Sequence, residues 1–266
     1  MVGGGASTVA YTPFEAPPFY LAKGAMLVLA GLAVGFVAHQ LKRRVGNAWR
    51  TMQERERIVS AFGQQVSPAI VEELIKRGPG PENRRAYICI MFMDIRDFTP
   101  KVEHMPPEQV VAFQNAVFGA AIEAVNRHNG LINQFLGDGF MATFGAPLST
   151  GEECRNAVAA AHELIERVAA LSAAGSIPHT RIGIGLHTGE AVTGNIGSAQ
   201  RKQYSITGIV VILAARIEQL NKAYDSQLLA SAEVVKAAGD LAKDAVPIGP
   251  VQVKGHDEPI EIYRLA

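Results

Sequence analysis

Two aspartates are the side chains in this sequence whose types and spacing point most directly to chemistry. Asp94 closes the apolar run AYICIMFMDI, and Asp138 lies between LINQF and FMATFG, in the tetrapeptide LGDG. On neighbouring strands of an antiparallel or crossover-linked sheet, the two carboxylates would lie close enough to share hard divalent cations. Without a cation the pair would repel, and the pKa of one carboxyl group would rise. Aspartate also ends strands for reasons of turn geometry alone, so the surrounding sequence has to decide.

The segment after residue 81 alternates the patterns of strands and helices. A β-rich apolar run comes first, followed by a helical pattern that opens with a double proline and closes with Asn-Gly. LINQF and FMATFG around LGDG predict a hairpin, and a second long helix runs to about Leu171. A strand and turn, a third helix and a terminal strand pair complete the pattern. Strands interleaved with helices on one face predict an α/β sandwich of the ferredoxin-like kind.

The composition excludes several classes of protein. A chain of 266 residues with 48% apolar residues can fill a core, which excludes a disordered chain. Its 25 Lys and Arg residues balance 25 Asp and Glu residues, so no global field draws the chain to nucleic acid. Cys89 and Cys154 have no CxxC pattern and no His cluster of ligand spacing beside them. This argues against a disulfide framework or a zinc site and fits a reducing compartment.

The N-terminal segment predicts a membrane anchor. Residues 1–18 are rich in Gly, Pro, Ser and Thr and are interpreted as a short disordered lead. Residues 19–41 are almost entirely apolar and supply the roughly 20 residues that cross a bilayer core. A basic cluster follows, so the positive-inside rule predicts a single-pass protein of the inner (plasma) membrane with its later residues in the cytoplasm. The alternative is a buried globular helix, but its polar and charged neighbours offer no core.

The anchor and the strand-helix pattern are joined by a charged segment. Residues 42–80 predict a helical linker, with a passive spacer as the alternative, and the sequence GPGP closes it. Residues 81–266 then form the α/β domain.

Over about residues 60–266 the sequence resembles the class III adenylyl and guanylyl cyclases. The motifs that carry the resemblance are MFMDIRDFT (91–99), FLGDGFMATFG (135–145), IGIGLHTGEAVTGNIGS (182–198), AARIEQLN (214–221) and VKG (253–255). The resemblance implies a cyclase homology domain that converts ATP to 3′,5′-cyclic AMP and pyrophosphate, with GTP as the alternative substrate.

The resemblance also implies how the nucleotide phosphates are bound. Asp94 and Asp138 match the family's two aspartates, which hold two Mg²⁺ or Mn²⁺ ions, and the backbone carbonyl matching Ile95 often joins them. Phe98 and Thr99 fall where the family's loop and the following helix start cradle the triphosphate through backbone N–H groups.

The remaining implied contacts concern the transition state and the base. Arg216 matches the arginine that neutralises the transition state, and a helix-surface arginine paired with Glu218 or with solvent is the alternative. Gln134 stands where the family usually has Lys, and Ser205 stands at its partner position. Both side chains can donate or accept a hydrogen bond, so they do not decide whether ATP or GTP is the preferred substrate. Lys254 is a candidate phosphate contact, or a solvated strand-end lysine.

A family site forms between two chains, with the aspartates from one and the base-reading and arginine residues from the other, so a homodimer with two equivalent sites is expected. Ile212 departs from the pattern, because the family generally has an Asn there that orients the ribose. The loss of one such contact typically lowers the rate about 10²- to 10³-fold. The sequence therefore predicts a cyclase, or alternatively a weakened cyclase homology domain that dimerises and binds nucleotide as a sensor.

Overall fold

The computed structural model describes most of the chain after residue 82 and part of the N-terminal segment. The described residues are 23–29, 31–32, 35–36, 39, 42, 83–198, 201–253 and 257–266. The chain divides into two compact units, residues 1–56 and 57–266.

In the first unit, the described residues between 23 and 42 are helical and exposed. Met26, Leu29 and Phe36 are among their large apolar side chains, and these three are 64–75% exposed. Of the helices in the described ranges, none combines the length and apolar character needed to cross a bilayer. The rest of the predicted span, the predicted lead and residues 43–80 of the predicted linker lie outside the described residues.

The second unit contains the strands and helices that position the aspartates. In chain order they are β1 (Asn83–Ile95), α1 (Phe98–Val102), α2 (Pro107–Arg127), β2 (Gly130–Leu136), β3 (Gly139–Phe144), α3 (Glu153–Ala173), β4 (Ile182–Ser198), β5 (Arg201–Thr207), α4 (Ile209–Leu220), β6 (Leu228–Ser231), α5 (Ala232–Ala238), a short 3-10 helix (Gly239–Ala242), β7 (Val246–Val251) and β8 (Ile260–Arg264). The predicted hairpin is confirmed, because two residues alone join β2 to β3. The first of them, Gly137, has φ +68°, a conformation that glycine adopts without a steric penalty.

Within the described residues, eight strands form one open mixed sheet. Its order is β2-β3-β1-β4-β6-β8-β7, and β5 pairs with β4. β4 and β6 are parallel, whereas β1 is antiparallel to both of its neighbours. From β1 to β4, leaving aside the short α1, the elements follow the β-α-β-β-α-β sequence of ferredoxin-like folds. The predicted α/β class is therefore confirmed, as a mixed α/β domain.

Successive residues of β1 face two different layers. Met91 and Met93 belong to the core that β1 forms with α2 and α3. Ile88 and Ile90 belong to a second core, to which Val210 of α4 also contributes. The prediction that the helices cover one face is therefore wrong for α4, which covers the other. The reason is that the apolar run of β1 is continuous, so both faces of the sheet have to be covered.

Candidate active site

The two aspartates lie at the same edge of the sheet. Asp94 is the next-to-last residue of β1 and is paired with Gly139 of β3 and with Gly183 of β4. Asp138 is the second residue of the β2–β3 turn and directly precedes Gly139. The hairpin therefore delivers Asp138 to the end of the strand that carries Asp94.

Close packing around Gly139 fixes this arrangement. A Cβ atom at Gly139 would overlap the main-chain oxygen of Met93 and would lie 3.3 Å from Oδ1 of Asp94. Helix α2 contacts the turn, because Nε2 of Gln114 donates a hydrogen bond to the carbonyl oxygen of Gly137 over 3.2 Å. The position thus requires glycine, and the turn is held by a contact from another element.

The two carboxylates interact electrostatically. Burial raises the pKa of Asp94, and the negative charge of Asp138 raises it further. The positive charge of Arg96 and the backbone N–H of Ile95 act in the opposite direction. Burial and the neighbouring negative charge thus both disfavour the ionised form of Asp94.

A buried ion pair that sequence reasoning missed lies beside the aspartates. Nη2 of Arg96 lies 3.2 Å from Oε1 of Glu218 on α4, and the two side chains are only 18% and 11% exposed. Burial raises the pKa of Glu218 to about 7; Arg96 lowers it, whereas Asp94 and Asp138 raise it. The edge of the sheet therefore holds three carboxyl groups and one guanidinium group.

The sequence does contain a signal for this ion pair, in the alternating glycines of IGIG in β4. A Cβ atom at Gly183 would overlap the guanidinium group of Arg96, and one at Gly185 would overlap the backbone of Glu218. Alternate residues of a strand share one face, so both glycines open the face that α4 covers. The pattern shows that something approaches β4 closely, although it does not say what.

Comparison with known proteins identifies the domain that carries this arrangement. Residues 81–266 match the family described as the adenylate and guanylate cyclase catalytic domain. The chain belongs to this family. An uncharacterized protein of Mycobacterium tuberculosis is 32% identical to the chain over 243 residues, which cover 90% of this chain and 43% of that protein. The chain therefore spans about two fifths of the length of the curated relatives it matches.

Solved structures of bacterial cyclases resemble the domain closely. The adenylyl cyclase CyaB from P. aeruginosa has a TM-score of 0.61 and 28% identity, over 69% of this chain and 95% of that chain. The guanylyl cyclase Cya2 has a TM-score of 0.61 and 34% identity, over 69% of this chain and 93% of that chain. An adenylyl and a guanylyl cyclase thus match equally well in fold, and the class III cyclase domain is the level of description that both support.

The cyclase domain places Arg216 on the surface of α4. Arg216 is half-buried on α4, and its Nη1 donates to Oε1 of Gln219 over 2.9 Å. Arg216 does not pair with Glu218, which contacts Arg96 instead, and the choice between a catalytic and a helix-surface arginine stays a prediction. Ile212 lies one turn before Arg216 on the same helix and is 51% exposed. Both residues therefore lie on a part of α4 that the sheet does not cover.

The predicted base-reading residues lie on β2 and β5 of the cyclase domain. A bulge after Ile132 pairs Gln134 with Met141, which belongs to the core on the α4 side of the sheet. A regular ladder would pair Gln134 with the next residue, Phe140, on the opposite face, so the bulge decides where Gln134 points. Ser205 is half-buried on β5. Lys254 lies outside the described residues.

The predicted triphosphate contacts lie at the start of α1. The ring of Phe98 stacks on Phe113 at a centroid distance of 5.9 Å, so its side chain packs against the core. Its backbone is therefore the part of Phe98 that a phosphate group could contact. Thr99 is exposed. The side chain of Ile95 is buried, which likewise leaves its backbone carbonyl as the group that can bind an ion.

Asp94 and Asp138 suit the divalent ions that the family uses. Carboxylate oxygens are the ligands that Mg²⁺ prefers, and a cation between the two would relieve the repulsion that raises the pKa of Asp94. Among the described residues, no group of three or more His, Cys, Asp or Glu side chains is arranged to hold a metal ion.

Proposed function

We propose that the cyclase domain is an active nucleotidyl cyclase, which converts ATP or GTP to the 3′,5′-cyclic monophosphate and pyrophosphate. The observation that carries the proposal is the interacting pair of Asp94 and Asp138 in a family member that also retains Arg216. Cyclisation requires the ribose 3′-oxygen to attack the α-phosphorus while pyrophosphate leaves. Negative charge then grows on the phosphate oxygens and on the leaving group.

Each part of the site answers one requirement of this reaction. Asp94 and Asp138, with the carbonyl of Ile95, would hold two Mg²⁺ or Mn²⁺ ions, which lower the pKa of the attacking hydroxyl and neutralise phosphate charge. Backbone N–H groups at the start of α1, at Phe98 and Thr99, would bind phosphate oxygens. The guanidinium group of Arg216 would neutralise the charge that develops in the transition state.

We further propose that the site is complete only in a homodimer. Arg216 lies on α4 two residues before Glu218, so it points about 200° away from the side chain that contacts Arg96, which supports a partner as the recipient of the arginine. A two-fold dimer would then have two equivalent sites. Mixing Asp94→Asn chains with Arg216→Ala chains should restore activity, because one interface keeps both intact halves. A mixture as inactive as either variant alone would refute the composite site.

The two predicted base-reading side chains, Gln134 and Ser205, leave both adenine and guanine possible. Gln134 offers a carbonyl oxygen and an amide nitrogen, and Ser205 offers a hydroxyl group, so neither selects adenine or guanine by itself. We propose ATP as the first substrate to test and GTP as the second.

Ile212 supports a second candidate, a weakened cyclase homology domain that dimerises and binds nucleotide. Its apolar side chain is 51% exposed at the position where the family generally has a polar, ribose-orienting residue. Exposed apolar area of this kind suits contact with a partner chain better than hydrogen bonding to ribose.

Membrane anchoring through residues 19–41 remains a proposal from the sequence. The exposure of Met26, Leu29 and Phe36 in the described part of that segment supports it, because such side chains need an apolar environment.

Extraction of the full chain from membranes by detergent, but not by alkaline carbonate, is expected. Release by carbonate would contradict a single-pass anchor in the inner (plasma) membrane with a cytoplasmic catalytic domain.

The deciding experiment is to incubate the purified full chain, in detergent, with ATP or GTP and Mn²⁺ and to identify cyclic product by mass spectrometry. Formation of cyclic nucleotide by the parent but not by Asp138→Asn is expected. Nucleotide binding without product in the parent would favour the sensor.

A further inference from the structure

The Arg96–Glu218 pair connects the aspartate edge of the sheet to helix α4. Arg96 follows Asp94 by two residues, and its Nη2 lies 3.2 Å from Oε1 of Glu218 and 3.5 Å from the carbonyl oxygen of Glu218. The contact spans 122 residues of sequence. One guanidinium group therefore touches both the side chain and the backbone of α4.

The sheet is shaped to admit this contact. Any side chain at Gly183 would displace the guanidinium group of Arg96, and any side chain at Gly185 would push the backbone of α4 away at Glu218. Two glycines on one face of β4 thus let α4 approach the sheet where the ion pair forms. The distance between α4 and the sheet is therefore set at Gly183 and Gly185.

Stability alone does not account for the pair. A buried ion pair is often no more stabilising than well-packed apolar side chains of the same volume, because both charges lose their hydration. Oε1 of Glu218 accepts no well-aligned hydrogen bond among the described residues, so its desolvation is incompletely offset. A buried pair whose hydrogen bonding is imperfect is better explained by a need for one particular geometry.

The geometry that the pair fixes is that of Arg216. Residues two apart on an α-helix point about 200° apart around its axis, so Glu218 faces the sheet while Arg216 projects away from it. Rotation or lifting of α4 would therefore move Arg216 directly. Arg216 also makes a hydrogen bond with Gln219, which moves with the same helix.

We propose that Arg96 and Glu218 are positioning residues, which hold α4 at the place where Arg216 serves the active site of the partner chain. The proposal rests on the composite cyclase site proposed above. It adds that each chain contributes to both sites and links its two contributions. Strand β1, which carries Asp94 of one site, is tied through Arg96 and Glu218 to the helix that carries Arg216 of the other site.

Heterodimers with one working site separate this role from an effect on the neighbouring aspartates. In a mixture of Asp94→Asn chains and Arg216→Ala chains, the complete site takes Arg216 from the first chain and both aspartates from the second. Glu218→Gln in the first chain should lower kcat about tenfold or more with little change in KM, because it misplaces the arginine. The same substitution in the second chain should leave kcat within about twofold. Equal losses in both arrangements, or a loss confined to the second chain, would overturn the proposal.

Two controls exclude a general loss of packing. Glu163→Gln removes another paired carboxylate, on α3, which contacts Arg127, His128 and Arg167, and should leave kcat unchanged. Arg96→Met combined with Glu218→Gln in one chain should lower kcat no further than Glu218→Gln alone, since both residues act through one contact. Losses that multiply in the double variant would show that the residues act separately.

A readout without catalysis keeps this inference distinct from the proposed function. The only native cysteines, Cys89 and Cys154, are buried, so a maleimide should label an Arg216→Cys variant selectively. At pH 8, adding Glu218→Gln should raise the labelling rate about threefold or more, because the contact that ties α4 to Arg96 is lost even though the domain as a whole unfolds less readily. Faster labelling, together with no cyclic product from the parent chain, would retain the role of the pair in holding α4 and reject the cyclase proposal. An unchanged rate would reject the positioning role whatever the activity.

Discussion

Replacement of Glu218 by Gln is expected to remove a pH-dependent loss of stability. Burial raises the pKa of Glu218 in the folded domain from 4.5 to about 7; Arg96 lowers it, whereas Asp94 and Asp138 raise it. A group with a raised folded pKa contributes stability below its unfolded pKa, and that contribution is lost as the pH rises through the folded pKa. The parent should therefore lose stability relative to Glu218→Gln between about pH 4.5 and pH 7.

The size of the effect follows from the two pKa values. They differ by about 2.5, and 1.36 kcal/mol for each pH unit gives about 3 kcal/mol in the free energy of unfolding. For a domain of this size, 1 kcal/mol moves Tm by about 2–4 °C. About 2.5 kcal/mol of this change falls between pH 5 and pH 8, so the Tm of the parent should fall by roughly 5–10 °C relative to that of Glu218→Gln over that interval.

Thermal unfolding of the full chain in EDTA, at several values between pH 5 and pH 8, measures this difference. Glu163→Gln is the matched control. Desolvation raises the pKa of Glu163, but hydrogen bonds from Arg167 and His128 and the charges of Arg127 and Arg167 lower it overall. A lowered folded pKa gives the opposite sign, so the parent should gain on Glu163→Gln as the pH rises. A flat difference for Glu218→Gln, or one with the sign of the control, would refute the reasoning.

Three further predictions test the site and its packing. Asp94→Asn and Asp138→Asn should each lower Mn²⁺-dependent cyclisation at least about 10²-fold without unfolding the domain, since each removes a metal ligand; a folded variant with most of its activity would contradict the metal assignment. Ile212→Asn should raise turnover, by up to about 10²-fold, with little change in the urea midpoint because the side chain is 51% exposed; no gain over a parent that is already fast would show that Ile212 does not impair the enzyme. Gly185→Ala should destabilise the domain by about 1–3 kcal/mol because its Cβ would overlap α4, whereas Gly119→Ala, with nothing within 4 Å, should stabilise it by about 0.5–1 kcal/mol; similar urea midpoints for both would contradict this packing.

Local patterns predicted the hairpin correctly, and they placed the two aspartates at strand ends that the structure brings together. The two-residue turn depends on Gly137 and on apolar runs directly beside it, so neighbouring residues alone specify it. The alternation of strands and helices likewise predicted the α/β class, because each element has its own period. The family motifs around Asp94 and Asp138 then predicted which strand ends matter. Whether Asp138 holds an ion stays a prediction.

The contacts that position these residues came only from the tertiary structure. The single extra residue of the bulge in β2 turns Gln134 to the α4 side of the sheet, and no periodic pattern marks it. Helix α4 covers the second face of the sheet because the strands are apolar on both sides, which the pattern of α4 itself does not reveal.

The sequence by itself determined the elements, the hairpin and the identity of the acidic residues, since these depend on residues adjacent in the chain. The tertiary structure alone decided that Arg96 pairs with Glu218, 122 residues away, rather than Arg216 with Glu218 two residues away. The physical reason is the helical rotation, which turns Arg216 away from Glu218, together with the space that Gly183 and Gly185 leave on β4.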